Sequence, residues 1–292
     1  MLGKGESMTL EHIEQRRIER VTRGMPTEDG AGVNLTRLIG TPEIGDIDPR
    51  LMLDNFGSDD PNVYIADFPA HPHRGFETVS CMIAGSLRHK DNKGGEGVIT
   101  DGGVQWMTAG RGVVHSEMPA QTSGLMFGFQ LWLNLPAAEK MREPWYRDIP
   151  AAQISQIDLG ACVTAKLIAG RWNATVGPGP ERGTAPFIAD VALMPQGAVS
   201  IPMPGGHAEF THVFQGKAAL GPGGARRELG KGELGILSAE GGLTAVAGSD
   251  GARMLIVSAK PLREPVAKHG PFVMNTQREI WQAVSDFQRG LF

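Results

Sequence analysis

Short β-type segments that end beside turn-forming residues recur along most of this chain. Residues 77–83, 97–110 and 125–135 are rich in Val, Ile, Phe, Trp and Thr, and each ends within two residues of a glycine or proline. The 40 glycines and 20 prolines among 292 residues supply turns for many short strands. The sequence therefore predicts an all-β fold in which many strands are joined by tight turns.

The strand pattern of the first half returns in the second half. The segment ETVSCMIAG ends at Gly85, and the similar segment AEFTHVFQG ends at Gly216, 131 positions later. A second pair, MTAGRGVVHSE and LSAEGGLTAVA, is offset by 130 positions. Two matches at nearly one offset predict a duplicated β-domain. We place the first copy in residues 1–150 and the second in residues 151–275.

The last residues, 276–292, are expected to form a short C-terminal helix. Thr276 and Glu279 fit a capping box, in which each side chain bonds the backbone N–H of the other residue. The apolar residues of this segment are spaced for one helical face. They are Ile280, Trp281, Val284 and Phe287.

Charge and composition exclude several classes of function. The chain has 28 Lys and Arg against 32 Asp and Glu, and its basic residues form no dense cluster, so direct nucleic-acid binding is not expected. No apolar run is long enough to span a bilayer. The first residues lack the apolar core of a secretory signal, and two cysteines cannot build a disulfide framework. A cytoplasmic protein without membrane partners is therefore expected.

One histidine-rich constellation stands out within residues 71–117. His71 and His73 form an H-x-H pair, and His115 and Glu117 form an H-x-E pair. In a β-strand, residues i and i+2 point to the same face, so two neighbouring strands would bring these four side chains together. Three imidazoles and a carboxylate suit one divalent transition metal with open coordination positions. Fe(II) fits best, and Mn, Ni and Cu fit nearly as well.

The second half lacks these ligands at the corresponding positions. With the offsets of 131 and 130, these four residues and the nearby Glu77 fall on residues that cannot bind a metal. These are Pro202, Pro204, Ala208, Ala245 and Ala247. One metal, in the first half, is therefore expected. His89 lies in the polar segment RHKDNKGG, which is interpreted as a solvated loop.

Long motifs in the chain resemble the pirin family. They are HPHRGFETVS, QWMTAGRGVVHSEMP, FQLWLNLP, EKMREPWY and PLREPVAKHGPFVMNT. The resemblance implies a bicupin, in which two antiparallel cupin β-barrels stack face to face and only the N-terminal barrel binds iron. It also implies His71, His73, His115 and Glu117 as the iron ligands. The general cupin pattern H-x-H-x₃-E would instead make Glu77 a ligand. We expect Glu77 to orient a ligand or to pair with Arg74.

The resemblance implies two kinds of function. The first is quercetin 2,3-dioxygenase activity, the cleavage of a flavonol by dioxygen with release of carbon monoxide. In that reaction Glu117 or Glu77 would accept the flavonol proton. The alternative is an iron-dependent, redox-sensitive regulator that binds a protein partner. We favour the dioxygenase, because four ligands leave open positions that a purely structural metal does not need.

Overall fold

The computed structural model describes residues 15–64 and 68–292. The segment that bears on a secretory signal, at the start of the chain, lies outside these residues. The described chain is mostly strand and contains one longer helix, at its C-terminus. The predicted all-β fold with a short C-terminal helix is therefore confirmed.

Within its described residues, the first half contains twelve strands and one helical turn. They are β1 (Ile18–Arg23), β2 (Met25–Asp29), β3 (Val33–Ile39), β4 (Arg50–Ser58), α1 (Pro61–Tyr64), β5 (Phe68–His73), β6 (Phe76–Ala84), β7 (Leu87–Asp91), β8 (Glu96–Ile99), β9 (Val104–Thr108), β10 (Val113–Pro119), β11 (Met126–Asn134) and β12 (Trp145–Ile149).

The second half contains the remaining twelve strands and the closing helix. They are β13 (Ser155–Asp158), β14 (Val163–Ala169), β15 (Arg171–Trp172), β16 (Thr175–Val176), β17 (Phe187–Leu193), β18 (Ala198–Ile201), β19 (Ala208–Leu220), β20 (Arg227–Gly230), β21 (Glu233–Leu237), β22 (Leu243–Ala259), β23 (Ala267–His269), β24 (Phe272–Met274) and α2 (Gln277–Gln288). Short 3₁₀ turns lie at Ala137–Glu139, Ala151–Gln153 and Gly223–Ala225.

Two antiparallel sheets build the first half. A seven-stranded sheet has the order β12-β9-β6-β11-β4-β3-β2, and a four-stranded sheet has the order β5-β10-β7-β8. In the second half, a nine-stranded sheet follows the path β1-β21-β19-β22-β17-β14-β13, with β18 and β20 paired beside it.

Apolar faces of the two halves pack directly against each other. Val79 and Phe129 from the first half share one buried cluster with Phe210, Phe214 and Leu255 from the second half. Burial of apolar surface of this kind stabilises the folded chain by about 25 cal/mol per Å². The two halves therefore share a core at their interface.

Each end of the described chain packs on the half that is distant from it in sequence. Strand β1 lies within residues 1–150, yet it pairs with β21 in the sheet of the second half. At the other end, an isolated bridge joins Arg74 to Phe272, and Arg74 forms an ion pair of 2.8 Å with Asp286 of α2. The β23–β24 hairpin and α2 therefore pack on the metal-candidate side of the first half. The domain boundaries at 150 and 275 stay a prediction. Strand β1 lies before residue 150 but belongs to the sheet of the second half.

Helix α2 begins as its sequence predicts. Thr276 is the N-cap, and both hydrogen bonds of the capping box with Glu279 are present. The predicted apolar face is only partly correct: Ile280 is buried, whereas Trp281 is 57% exposed. Ala283 takes its place in the buried cluster, because the helix docks one small residue closely onto Phe272 and Met274.

Candidate metal centre

Strands β5 and β10 carry the four predicted ligands on one wall of the first half. In their antiparallel ladder His115 lies opposite His71, and Val113 lies opposite His73. His115 and Glu117 are both buried while Ser116 between them is partly exposed, so the H-x-E pair points to one face. The expected same-face arrangement of His115 and Glu117 is therefore present.

The three imidazoles form a compact cluster. Ring centroids lie 4.6 Å apart for His71 and His73, 4.4 Å for His71 and His115, and 4.9 Å for His73 and His115. One potential ligand atom from each residue lies within 4.8 Å of the others. A single ion bound to all three would fit between nitrogens at these separations.

Two of the clustered rings contain buried nitrogens that find no hydrogen-bond partner within residues 15–64 and 68–292. These atoms are Nδ1 of His73 and Nε2 of His115. Burial of polar atoms without partners is costly unless another group satisfies them. Burial, followed by the neighbouring imidazoles, lowers the pKa of His115 well below its ordinary value. A neutral ring retains the lone pair that a metal needs, so this donor set fits a divalent transition metal.

His71 is oriented by the backbone. Its Nδ1 donates a hydrogen bond of 2.7 Å to the carbonyl oxygen of Pro69, which can only accept. The proton is thereby held on Nδ1, and Nε2 keeps its lone pair. Backbone carbonyls commonly orient metal-binding histidines in this way.

Glu117 lies beside the cluster and is held by polar neighbours. Its Oε1 accepts a hydrogen bond of 3.0 Å from Ser80 Oγ, and its Oε2 accepts one of 2.7 Å from Gln130 Nε2. The group of ligand atoms within 4.8 Å of one another contains the three histidines and not Glu117. The carboxylate nevertheless lines the same cavity as His71 and His73.

That cavity is large enough for a small organic molecule. Its volume is about 570 Å³, within the range of about 300–1,000 Å³ typical of ligand pockets. Met52, Phe56 and Trp132 give it apolar walls. Arg37 and Asp54, which form a two-pronged ion pair with distances of 2.9 and 2.7 Å, give it a polar side.

Glu77 lies elsewhere, and its predicted pairing with Arg74 is wrong. Its Oε1 accepts hydrogen bonds from Thr108 Oγ1 at 2.5 Å and from Arg182 Nε at 2.7 Å. Arg74 pairs with Asp286 instead. On β6, Glu77 and Ser80 differ by an odd number of positions, so they point to opposite faces. Ser80 faces Glu117, and Glu77 is therefore directed away from the histidines.

The interpretation of His89 as a solvated loop residue is also wrong. His89 lies on β7, is 1% exposed, and places its Nδ1 3.4 Å from Nδ1 of His115. Leu87 and His89 are buried, whereas Arg88 and Lys90 between them are exposed. This alternation is the strand signal that the high charge of the segment conceals.

The second half fills the corresponding position with apolar side chains. Strand β18 pairs with β22, and Ala245 lies opposite Val199 while Leu243 lies opposite Ile201. By ladder register, Val199 and Ile201 occupy the positions of His71 and His73, so the assignment to Pro202 and Pro204 is wrong. The loop between β18 and β19 is longer than the loop between β5 and β6, which shifts the offset. Ala245, Val199 and Ile201 all belong to one buried apolar cluster.

Family models match most of both halves. The model described as Pirin matches residues 32–133, and the model described as Pirin C-terminal cupin domain matches residues 188–292. The chain belongs to the pirin family. The resemblance seen in the sequence motifs is thereby confirmed. The pirin models cover both the histidine cluster and the β23–β24–α2 segment that packs beside it.

Individual relatives cover nearly the whole chain. A pirin-like protein of Caulobacter vibrioides is 44% identical over 95% of this chain and 99% of its own length. Human pirin is 36% identical over 98% of this chain and 94% of its own length. The crystal structure of a quercetin 2,3-dioxygenase from Acinetobacter baumannii superposes with a TM-score of 0.87 at 31% identity. It covers 95% of this chain and 98% of the other.

No helix within residues 15–64 and 68–292 is both long and apolar enough to cross a membrane.

Proposed function

We propose that this pirin is a flavonol 2,3-dioxygenase of the quercetin 2,3-dioxygenase type. His71, His73, His115 and Glu117 would hold one divalent metal, Fe(II) in the first instance, and the substrates would be a flavonol and dioxygen. We also propose that it works in the cytoplasm. The similarity to the Acinetobacter enzyme supports the activity.

The observation that carries this proposal is the cavity in front of the histidine cluster. A metal that only stabilises a fold is enclosed by protein ligands, whereas a catalytic metal keeps positions open to substrate. Here His71 and His73 line a space of about 570 Å³, and Met52 and Trp132 form apolar walls beside them. A planar aromatic molecule suits such walls.

The chain's own residues have distinct tasks in this reaction. The bound metal would act as a Lewis acid toward the flavonol 3-oxygen and so lower the pKa of its hydroxyl group. Glu117 is proposed to accept that proton, since it is the carboxylate beside the histidines in the cavity. Ser80 and Gln130 hold its oxygens in place. Met52, Phe56 and Trp132 keep water from the deprotonated flavonol before dioxygen cleaves the ring.

Oxygen uptake by iron-loaded protein tests the proposal. The protein is loaded with Fe(II) without oxygen, and consumption of oxygen and release of carbon monoxide are then measured with a panel of flavonols. Wild type should consume oxygen with at least one flavonol. His115→Ala should abolish uptake, whereas His269→Ala should not, because His269 is exposed on β23. Bound iron without any flavonol-dependent uptake would contradict the dioxygenase and favour a redox-sensitive regulator with a protein partner.

A further inference from the structure

Behind the histidine cluster, two more buried side chains continue away from His115. His89 Nδ1 lies 3.4 Å from His115 Nδ1, and His89 Nε2 lies 3.3 Å from Asp91 Oδ2. The side chains of His89 and Asp91 are 1% and 4% exposed. His115, His89 and Asp91 thus form a continuous buried polar row that starts at the histidine cluster.

Only one assignment of hydrogen-bond donors and acceptors is possible along this row. Asp91 Oδ1 accepts from the backbone N–H groups of Lys93 at 2.7 Å and Gly95 at 2.9 Å, and an ionised carboxylate has no proton to donate. His89 must therefore donate from Nε2 to Asp91 and accept at Nδ1. His115 then donates from Nδ1, and its lone pair is left on Nε2. That nitrogen is one of the two imidazole nitrogens of the cluster that are buried without a partner in the described structure.

Backbone pairing and side-chain packing hold the three residues of this row in position. In the β7–β10 ladder His115 lies opposite Asp91, so the backbone sets their separation. The ring of His89 packs against Tyr146 with centroids 5.2 Å apart. A Cβ at Gly95 would lie 2.2 Å from Asp91 Oδ2 and 2.4 Å from Tyr146 Cε1, so a larger residue there would displace at least one of these side chains.

We propose that Asp91 and His89 are positioning residues that fix the tautomer of His115 and so present its Nε2 to the metal. This inference rests on the metal centre of the proposed function. Pro69 does the same for His71 through a backbone carbonyl, whereas His115 depends on two side chains. Loss of an outer partner of a metal-binding histidine typically costs about 10–100-fold in metal affinity or activity.

Asp91→Asn tests the direction of the row. The amide oxygen can still accept the hydrogen bonds from the backbone N–H groups of Lys93 and Gly95. The amide NH₂ group then points toward His89 Nε2. His89 must then accept there and carry its proton on Nδ1, where it meets the N–H of His115. We expect Co²⁺ affinity, measured by competition with a chelator, to fall about 10–100-fold. Glu96→Gln is the matched control, because Glu96 pairs with Arg88 at the surface, and it should bind Co²⁺ like wild type.

Two substitutions of His89 separate hydrogen bonding from packing. His89→Phe keeps a ring against Tyr146 but removes the acceptor, so Co²⁺ affinity should fall about as far as in Asp91→Asn. His89→Asn places an amide oxygen near the former Nδ1, so it can accept from His115 and should recover most of the affinity. The visible absorption spectrum of bound Co²⁺ should shift in His89→Phe and return toward wild type in His89→Asn.

The outcomes distinguish this inference from the proposed function. Circular dichroism of each metal-free variant checks that it is folded, and the affinity is measured on folded protein. If wild type binds Co²⁺ and the Asp91 and His89 variants bind it equally tightly with the same spectrum, the positioning role is wrong and the metal centre stands. If folded wild type does not bind Co²⁺ or Fe(II), the metal centre itself is wrong. Equal loss in His89→Phe and His89→Asn would also overturn the positioning role.

Discussion

The two halves of this pirin share the same strand pairing but carry different side chains at the matching positions. In the first half His115 faces His71 across the β5–β10 ladder, and His71 lines a cavity together with His73. In the second half Ala245 faces Val199 across the β18–β22 ladder, and apolar side chains fill the space. The backbone frame is common to both, so a few side chains decide whether the frame encloses a site or a core.

The largest effect should follow from removing two imidazoles of the first half. In a His71→Ala, His115→Ala variant the cluster loses two of its three rings, so affinity for Fe(II) should fall by more than about 1,000-fold. The second half offers no replacement on the β18–β22 ladder. Chelator competition measures the loss, and wild-type affinity in this variant would show that the site lies elsewhere.

The reverse exchange should damage the second half. Ala245→His places an imidazole in a packed apolar cluster, where it is too large and lacks a partner. We expect a loss of about 3 kcal/mol in the free energy of unfolding. His115→Ala in the metal-free protein should cost less, about 1–2 kcal/mol, because the lost hydrogen bond to His89 is partly offset by removal of a buried, unpartnered nitrogen. Urea unfolding of both variants compares them, and equal losses would refute the contrast between site and core.

Two glutamates of the first half should respond differently. Glu117→Gln replaces a proposed ligand by a neutral amide, so Fe(II) affinity should fall by about 100-fold. Glu77→Gln should keep the metal, since Glu77 bonds Thr108 and Arg182 on the other face of β6. Its cost should appear instead as a lower unfolding temperature. Metal loss in Glu77→Gln with metal kept in Glu117→Gln would mean that Glu77 is the ligand, as in the general cupin pattern.

The smallest effect concerns a buried histidine of the second half. Burial lowers the pKa of His212 to about 4, and its Nδ1 donates to the carbonyl oxygen of Glu233 at 3.1 Å. The unfolded chain, with an ordinary histidine pKa near 6.5, binds this proton more readily, so stability falls as the pH drops from about 6.5 toward 4. Between pH 7 and pH 5 this one group should remove about 2 kcal/mol.

His212→Phe checks that assignment. The variant should lose less stability between pH 7 and pH 5 than wild type does, by about the same 2 kcal/mol. Identical pH profiles for wild type and His212→Phe would mean that His212 is not held neutral by burial.

Strand periodicity predicted much of the fold and of the site, and it failed where a strand was interrupted. His71, His73, His115 and Glu117 each belong to a pair within one strand, so their spacing fixed a common face. Glu77 is counted from His73 across a turn, where Gly75 has a φ of 89°. The alternation restarts after this turn, which sends Glu77 to the opposite face.

Other features of the site depend on contacts that no local pattern contains. The charged residues around His89 in the sequence suggest exposure to solvent, whereas its burial comes from Tyr146 and His115 in other strands. The position of Arg182 beside Glu77 depends on how the second half docks on the first. The loop after β18 is longer than the loop after β5, so His71 corresponds to Val199 and not to Pro202. Only the ladder register shows this correspondence.

Anomalous X-ray scattering from crystals of the Fe(II)-loaded protein tests the central claim most directly. Data collected on either side of the iron absorption edge locate the bound ion without reference to activity. The account predicts one iron peak per chain, within bonding distance of His71, His73, His115 and Glu117. A peak in the second half, two peaks per chain, or a peak that Glu117 does not reach would contradict it.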